Sequence, residues 1–321
     1  MRWWIPVLSM DEVRMNDIPR SLASSKTFSV LNLPRLTWYA LRRWPIIPAI
    51  VIVILVFTGI FASVLAPQDQ FKQNLRARNA PPFWNTAWYE EHPRVELRYV
   101  LGADHVGRDV LSRIIFGARI SLIVATIALL TGLLIGVTLG LTAGYFGGHI
   151  EELVLRMTDV WYSIPFLLLA LVANIIFGPS FGLVLALLAL STWPAFVRNI
   201  RAETLSLKTL DYVALARVSG ASNTRILGRH LLPGVFNTIV VIATLRVGQL
   251  ILAEASLSFL GVGIPAPTPA WGVMIAEGRA DLRAAWWPTF FPGFAIFLVV
   301  MSLNFSGDWL RDRLDPRLRQ L

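Results

Sequence analysis

The 321 residues are 55% hydrophobic and only 15% charged, with a mean hydropathy of +0.60, which excludes the mixed polar surface that a soluble domain of this length shows to water. The net charge of +9 would suit a nucleic-acid binder, but the basic residues lie in loops between apolar runs, where positive charge orients membrane spans instead. No cysteine is present, so disulfide and thiolate chemistry are excluded.

Residues 1–43 form a polar tail with seven Lys and Arg, closed by "YALRRWP" (Tyr39 to Pro45), whose aromatic and basic residues suit a bilayer interface. The tail is too long and too mixed for the start of a signal peptide. The segment 44–66, with its charge-free run Pro45–Ala66, is therefore expected to be a retained first anchor. An extracytoplasmic segment follows over 67–118, irregular and turn-rich through "NAPPFWNTAWYEEHP". Its end is "LGADHVGRDVLSRIIFGARISL" (Leu101 to Leu122). Gly102 and Gly107 punctuate it, Asp104 stands where a helix N-cap can form, and Val110, Leu111, Ile114 and Ile115 repeat at helical spacing. Two readings are open: an amphipathic helix lying on the membrane surface, or a gasket over the next span.

The core, 119–307, is expected to hold five further spans. In the first of them, Ile120–Gly148, Gly132, Gly136, Gly140 and Gly144 recur every four residues, which places them on one face and allows close helix approach. Val160–Val197 is nearly twice the length of one span and carries "FGPSFG" near its middle, so it reads as a helical hairpin. Asn174 in its first arm lines a path or bonds across helices. Gly234 to about Ser256 is apolar apart from Arg246 and Glu254, and Ala284–Gly307 closes the set. The fold class is all-α, a polytopic protein with six transmembrane helices. Arg246 and Glu254 lie about 12 Å apart along a helix, too far to pair, so each needs another partner. Glu254 reads either as a gate or as a tie to the Gly261–Gly263–Pro265 loop. With the N-terminus inside, 18 of the 29 Lys and Arg fall on the cytoplasmic side and nine outside, which puts both termini, including the tail 308–321, in the cytoplasm.

Between the hairpin and the next span lies a polar island, about 198–233. A helix is expected through about Val218, then Gly220 as a C′ stop, Ser222 or Asn223 capping a short helix, and Pro233 in the first turn of the following span. Small residues crowd its middle (Ala214, Ala216, Ser219, Gly220, Ala221), and Arg217, Arg225 and Arg229 ring it with positive charge. This suits a docking element that enters a groove, or a solvated helix pair whose basic residues rest on lipid headgroups. The chain has no phosphate-binding loop, since Lys26, Lys72 and Lys208 follow Ser25, Phe71 and Leu207 rather than glycine. His92, His105, His149 and His230 show no ligand spacing, and no Ser, His and Asp set emerges, so neither a metal site nor catalysis is expected.

The island resembles the cytoplasmic signature of ABC import permeases, in which "EAA" is followed by three residues, Gly, nine residues and I-x-L-P. Ala216, Gly220, Leu232 and Pro233 match; Ala214, Leu215 and His230 replace Glu, Ala and Ile. "LGADHVGRDVLSRIIFGARISL" is similar to the G-x-D-x-x-G-R-D-V-L-S-R segment of the dipeptide, oligopeptide and nickel permeases, with Asp104, Gly107, Arg108 and Asp109 in place. "ILAEASLSFLGVGIPAPTPAWGVMIAEG" (Ile251 to Gly278) and "LRDRLDPRLR" (Leu310 to Arg319) resemble the same branch.

The resemblance implies an ATP-driven importer subunit in a bacterial or archaeal cell membrane. Asp211, Ala214, Ala216, Arg217, Gly220, Ala221, Arg225, Leu232 and Pro233 would couple it to a separate ATPase. It also implies the partners: a second homologous permease, two ABC ATPases that use ATP and Mg, an extracytoplasmic solute-binding protein and membrane lipid. The chain itself would bind no cofactor and no nucleic acid. A self-sufficient secondary transporter, with Arg246 and Glu254 as coupling residues, is the competing class, but such proteins usually carry more spans and internal repeats.

Overall fold

A computed structural model describes residues 45–95 and 98–314. The expectations for the tail 1–43, for the start of the 44–66 anchor segment and for the closing "DPRLRQL" lie outside them. Among the described residues the regular structure is helical. Ile46–Ile60 (α1) is followed, after a break at Phe61, by one turn at Ala62–Leu65. Val110–Phe146 (α2) runs into Gly148–Ser163 (α3), Phe166–Phe177 (α4) and Phe181–Leu207 (α5). Then come Asp211–Val218 (α6), Phe236–Phe259 (α7), Trp271–Gly278 (α8) and Trp287–Leu314 (α9).

Four of these, α2, α5, α7 and α9, are long and apolar enough to cross a membrane, and α3 with α4 makes a fifth if that bent pair is one span. The α1 helix has 15 residues, about 22 Å by helical rise, against a hydrocarbon core of roughly 30 Å. The six expected spans therefore correspond to four full-length helices, one broken pair and one short helix. The break is at Ile164–Pro165, where the axis turns by 77°. Ile164 is extended, as the residue before a proline is driven to be. The first arm of the expected hairpin is thus not one helix from Val160; the hairpin turn itself, Gly178–Ser180, stands where "FGPSFG" places it.

The surface-helix reading of Leu101–Leu122 does not hold, because α2 is continuous from Val110 to Phe146. At 37 residues it is about 55 Å long, well beyond the roughly 30 Å of one bilayer core. The Asp104–Asp109 turn stands at its start, and the polar island packs on its other end.

The α2–α5 seam holds the bundle. Gly132, Gly136, Gly140 and Gly144 are all buried and lie against Thr192, Phe196, Ile200 and Thr204 of α5, four residues apart on both helices. A Cβ on Gly136 would stand 2.5 Å from the Trp193 carbonyl oxygen and from the Phe196 Cβ, so backbones meet here without side chains between them. Around this seam two apolar clusters form. The larger runs from Leu55 and Val124 through Leu187 and Ile251 to Trp271 and Trp287. The second gathers Val137, Leu141, Tyr145, Phe196 and Ile200 under the polar island. Ahead of α2, a small cluster of Ala77, Ala80, Tyr89, Val95, Tyr99 and Ala103 orders the chain, with the Tyr89 hydroxyl donating to Pro81 O at 2.6 Å.

Candidate functional site

The polar island is built on the ends of α2 and α5. The Lys208 Nζ donates to Gly144 O at 2.7 Å, closing α5 at Leu207. Residues 208–210 turn the chain before Asp211 begins α6. The single helix expected through Val218 is therefore two, divided at this turn. Val213 is the residue of α6 that is fully buried, in the cluster formed by Tyr145, Phe196, Ile226, Leu231 and Val235. Arg217 lies 5.6 Å from the Tyr145 ring centre, and the Tyr145 hydroxyl donates to Asn223 Oδ1 at 2.9 Å. Tyr145 thus joins both halves of the loop from below. It lies inside the Gly-rich "TAGYFGG", where spacing marks only the glycines.

The α6 helix ends in a Schellman turn. Gly220 has φ +78°, its N–H donates to Arg217 O at 3.1 Å, and the Ala221 N–H donates to Ala216 O at 3.0 Å. Ala216 and Ala221, the two residues this turn brings together, pack on the inner cluster. Ser222 Oγ accepts from Arg225 N at 3.4 Å and caps the next turn, Asn223–Ile226. The expected boundary between a short helix and the next span does not form. A π-helical turn, Leu227–Leu231, and a turn holding Pro233 carry the chain into α7, with Val235 at φ −87° and ψ 0° between them.

Asp211, Ala214, Arg217, Gly220, Arg225, Leu232 and Pro233 are exposed. So are Leu215 and Val218, at 66% and 87%. The α6 helix is therefore two-faced, with Val213 buried on one side and Leu215 and Val218 exposed on the other.

At the other end of α2, Asp104, Gly107, Arg108 and Asp109 come together in one turn. Asp104 Oδ1 accepts from Val106 N and Arg108 N, and Oδ2 from Arg108 Nε at 2.6 Å and Arg113 Nη1 at 2.7 Å. Glu277 of α8 completes the set, its Oε2 accepting from Arg108 Nη2 and Arg113 Nη1, both at 2.8 Å. Gly107 has φ +79°, and a Cβ there would overlap the Asn74 carbonyl. The helix N-cap is Asp109, whose Oδ2 accepts from Ser112 N at 2.8 Å and Ser112 Oγ at 2.6 Å. Asp104, expected as the cap, is instead the turn's centre, because its oxygens are held by the turn N–H groups and the guanidiniums.

Burial pushes both carboxyls upward. For Asp104 the guanidiniums of Arg108 and Arg113 outweigh burial and hold it below the ordinary carboxylate range. For Asp109 the hydrogen bonds from Ser112 only partly offset burial, and it is raised. Asp104, His105 and Glu277 bring ligand atoms within 4.8 Å of one another. Both carboxylates are already engaged by two fixed guanidiniums, so the chemistry of the cluster is that of an ion-pair clamp rather than a cation site. Indole N–H groups extend the clamp: Trp271 donates to Ile114 O and Trp287 to Ala103 O, each at 3.0 Å.

Within the bundle, Glu254 is fully buried. The Ser258 hydroxyl donates to its Oε1 at 2.7 Å and accepts from Ile264 N at 3.1 Å, which links Glu254 to the loop after α7. Arg246 lines a cleft between α5, α7 and the end of α9. Asn174, read as lining a path or bonding across helices, has its Oδ1 buried without a hydrogen-bond partner among the described residues.

Residues 136–320 match the family described as the binding-protein-dependent transport system inner membrane component. The chain is 41% identical over 285 residues to the dipeptide transport system permease protein of Escherichia coli (strain K12), covering 88% of this chain and 93% of that one. It is 39% identical over 284 residues to the glutathione transport system permease proteins of Escherichia coli O6:K15:H31 and Shigella boydii serotype 4, covering 88% of this chain and 90% of each relative.

Proposed function

The chain belongs to the inner-membrane permease components of binding-protein-dependent transport systems, and from that membership we propose that it forms half of the pathway of an ATP-driven importer for dipeptides, glutathione-like peptides or a related small solute. It is a multi-pass membrane permease subunit and not itself an enzyme. The partners in this reading are a second permease of the same kind, two ABC ATPases that hydrolyse ATP with Mg, and an extracytoplasmic solute-binding protein. The α1 helix, the four long helices and the α3–α4 pair serve as six spans, with both termini and the polar island in the cytoplasm.

The observation that carries this reading is the two-faced α6 helix. Val213 is sunk among the ends of α2 and α5, while Leu215 and Val218 on the other side stand open beside Gly220. An ATPase groove that takes up this outer face moves α6 as a unit. The Schellman turn and the Ser222 cap pass the movement to Asn223, and the helical backbone onward carries it into α7. Nucleotide-driven closure of the ATPase pair then displaces α7 against the glycine-locked α2–α5 pair.

Gly220→Trp tests this. A Cβ at Gly220 meets nothing within 4 Å, so the substitution costs only the positive-φ strain, about 1–2 kcal/mol, and places a bulky ring on the docking face. The variant is expected to insert and to keep its thermal midpoint within a few degrees, while losing ATPase from the detergent-purified complex and losing solute uptake. Retention of both ATPase and uptake refutes the docking role.

A further inference from the structure

A polar cleft of about 690 Å³ opens between α5, α7 and α9 in the half of the chain nearest the polar island. Asn199, Glu203 and Ser206 line it from one face of α5, and Thr238, Arg246 and Gln249 from one face of α7. Arg246 is ten residues into α7, about 15 Å from the helix start, at a depth where a charge is tolerated only when it faces water, protein or an anion. Among the described residues, Arg246 is in none of the ion pairs, which join other arginines to Asp104, Glu277, Glu152, Asp159 and Glu151. Arg311, from the last turn of α9, adds a second positive charge to the wall, against the single carboxylate of Glu203. The cleft therefore holds an excess of guanidinium, with neutral donors and acceptors from Asn199, Thr238 and Gln249 around it.

Resting on the permease reading, we propose that Arg246 is a binding residue for the carboxylate of the passing solute. A guanidinium presents two parallel N–H groups matched to a carboxylate, and it stays charged at every working pH. The neutral amide and hydroxyl groups beside it suit peptide C=O and N–H without selecting a side chain. A solute leaving the midplane toward the cytoplasm meets this carboxylate contact in the inner half of the path. A carboxylate of the partner permease is the other source of the same chemistry, and the experiment separates the two.

The intact importer, with partner permease, ATPases and binding protein, is reconstituted in proteoliposomes, and uptake of labelled alanyl-alanine and of glutathione is measured. Arg246→Lys, Arg246→Gln and Arg246→Glu are compared with the unmodified complex. Uptake is expected to fall at least about tenfold in the Gln variant, the loss of one charged hydrogen bond, and to vanish in the Glu variant. The Lys variant keeps a measurable part, and binding-protein-stimulated ATPase and subunit stoichiometry are unchanged in all three. A photo-crosslinking residue at Gln249 should capture the labelled peptide during ATP hydrolysis. Parental uptake in the Gln variant, or no peptide captured at Gln249, overturns the assignment. Loss of the second permease from all three variants also overturns it and makes Arg246 an interface residue. An unmodified complex that hydrolyses ATP yet takes up neither peptide overturns the substrate reading and this proposal with it.

Discussion

Replacing Gly136 by alanine puts one methyl group into the α2–α5 seam, where there is no room for it. The added carbon would stand 2.5 Å from the Trp193 carbonyl oxygen and from the Phe196 Cβ. Carbon contacts are comfortable at about 3.5–4.0 Å, so the two helices must part by about 1 Å. Neither neighbour can turn away, since one is backbone and the other a Cβ. The cost belongs at the upper end of overpacking, about 3 kcal/mol. Alanine returns about 1 kcal/mol of helix propensity, leaving a net loss of about 2 kcal/mol. Gly228→Ala is the control: it lies in helical backbone and its Cβ would meet nothing within 4 Å, so the propensity term acts alone. Thermal unfolding of the purified variants in one detergent should place Gly136→Ala clearly below the parent and Gly228→Ala at or above it. If Gly136→Ala is as stable as Gly228→Ala, the seam is not close-packed and the argument from glycine spacing fails.

The clamp at the start of α2 predicts opposite behaviour for two neighbouring aspartates. Asp104→Asn leaves Arg108 and Arg113, both buried, sharing only Glu277, and should cost about 3–5 kcal/mol. Asp109→Asn keeps an equally good cap while removing a buried charge, and should stay within about 1 kcal/mol of the parent. In a pH scan, the depressed Asp104 contributes stability above its unfolded value of 3.8 and loses it as pH falls through its lower folded value. The raised Asp109 contributes below 3.8 and loses that as pH rises through its higher folded value. Equal midpoints for the two variants at neutral pH would remove the clamp from the account. Inside the bundle, Glu254→Gln keeps the acceptor for the Ser258 hydroxyl and should retain uptake. Glu254→Ala strands that hydroxyl, at about 1–3 kcal/mol, and should lower the thermal midpoint; a folded but inactive Gln variant would instead make Glu254 a gate.

What the sequence displays depends on how each feature is encoded. The glycine stripe is visible because a four-residue period maps onto one helix face, whatever lies opposite. The Gly220 stop and the Ser222 cap are visible for a similar reason: each satisfies backbone groups within a few residues of itself. The clamp is half visible. Asp104, Arg108 and Asp109 stand together in the chain, but Glu277, 164 residues beyond Arg113, reaches them only through the packing of α8. The break at Ile164–Pro165 is hidden for another reason. In a charge-free run polarity gives no sign of where a helix ends, and only Pro165 marks the place. The continuity of the loop with α7 is hidden too, since Pro233 suits a helix start as well as an early turn of a helix already under way.

On the proposed coupling, these features divide the bundle into a part that holds and a part that transmits. The α2 helix is fixed to α5 along its glycine face and to α8 by the clamp, while Trp287, at the start of α9, holds the turn before it. The α7 helix is also close-packed, since a Cβ on Gly272 of α8 would overlap Ala255 O, but one of its ends continues from the docking loop, its middle faces the cleft with Arg246, and Glu254 near its far end is tied through Ser258 to Ile264. On the proposed coupling, a push on α6 reaches the cleft and the outer loop through this one helix. The cleft walls, one on locked α5 and one on α7, must then shift relative to each other whenever the docking loop moves. On this proposal, a guanidinium without an ion-pair partner among the described residues stands on the moving wall rather than the fixed one, and the ATPase stroke has a direct means of releasing a bound carboxylate.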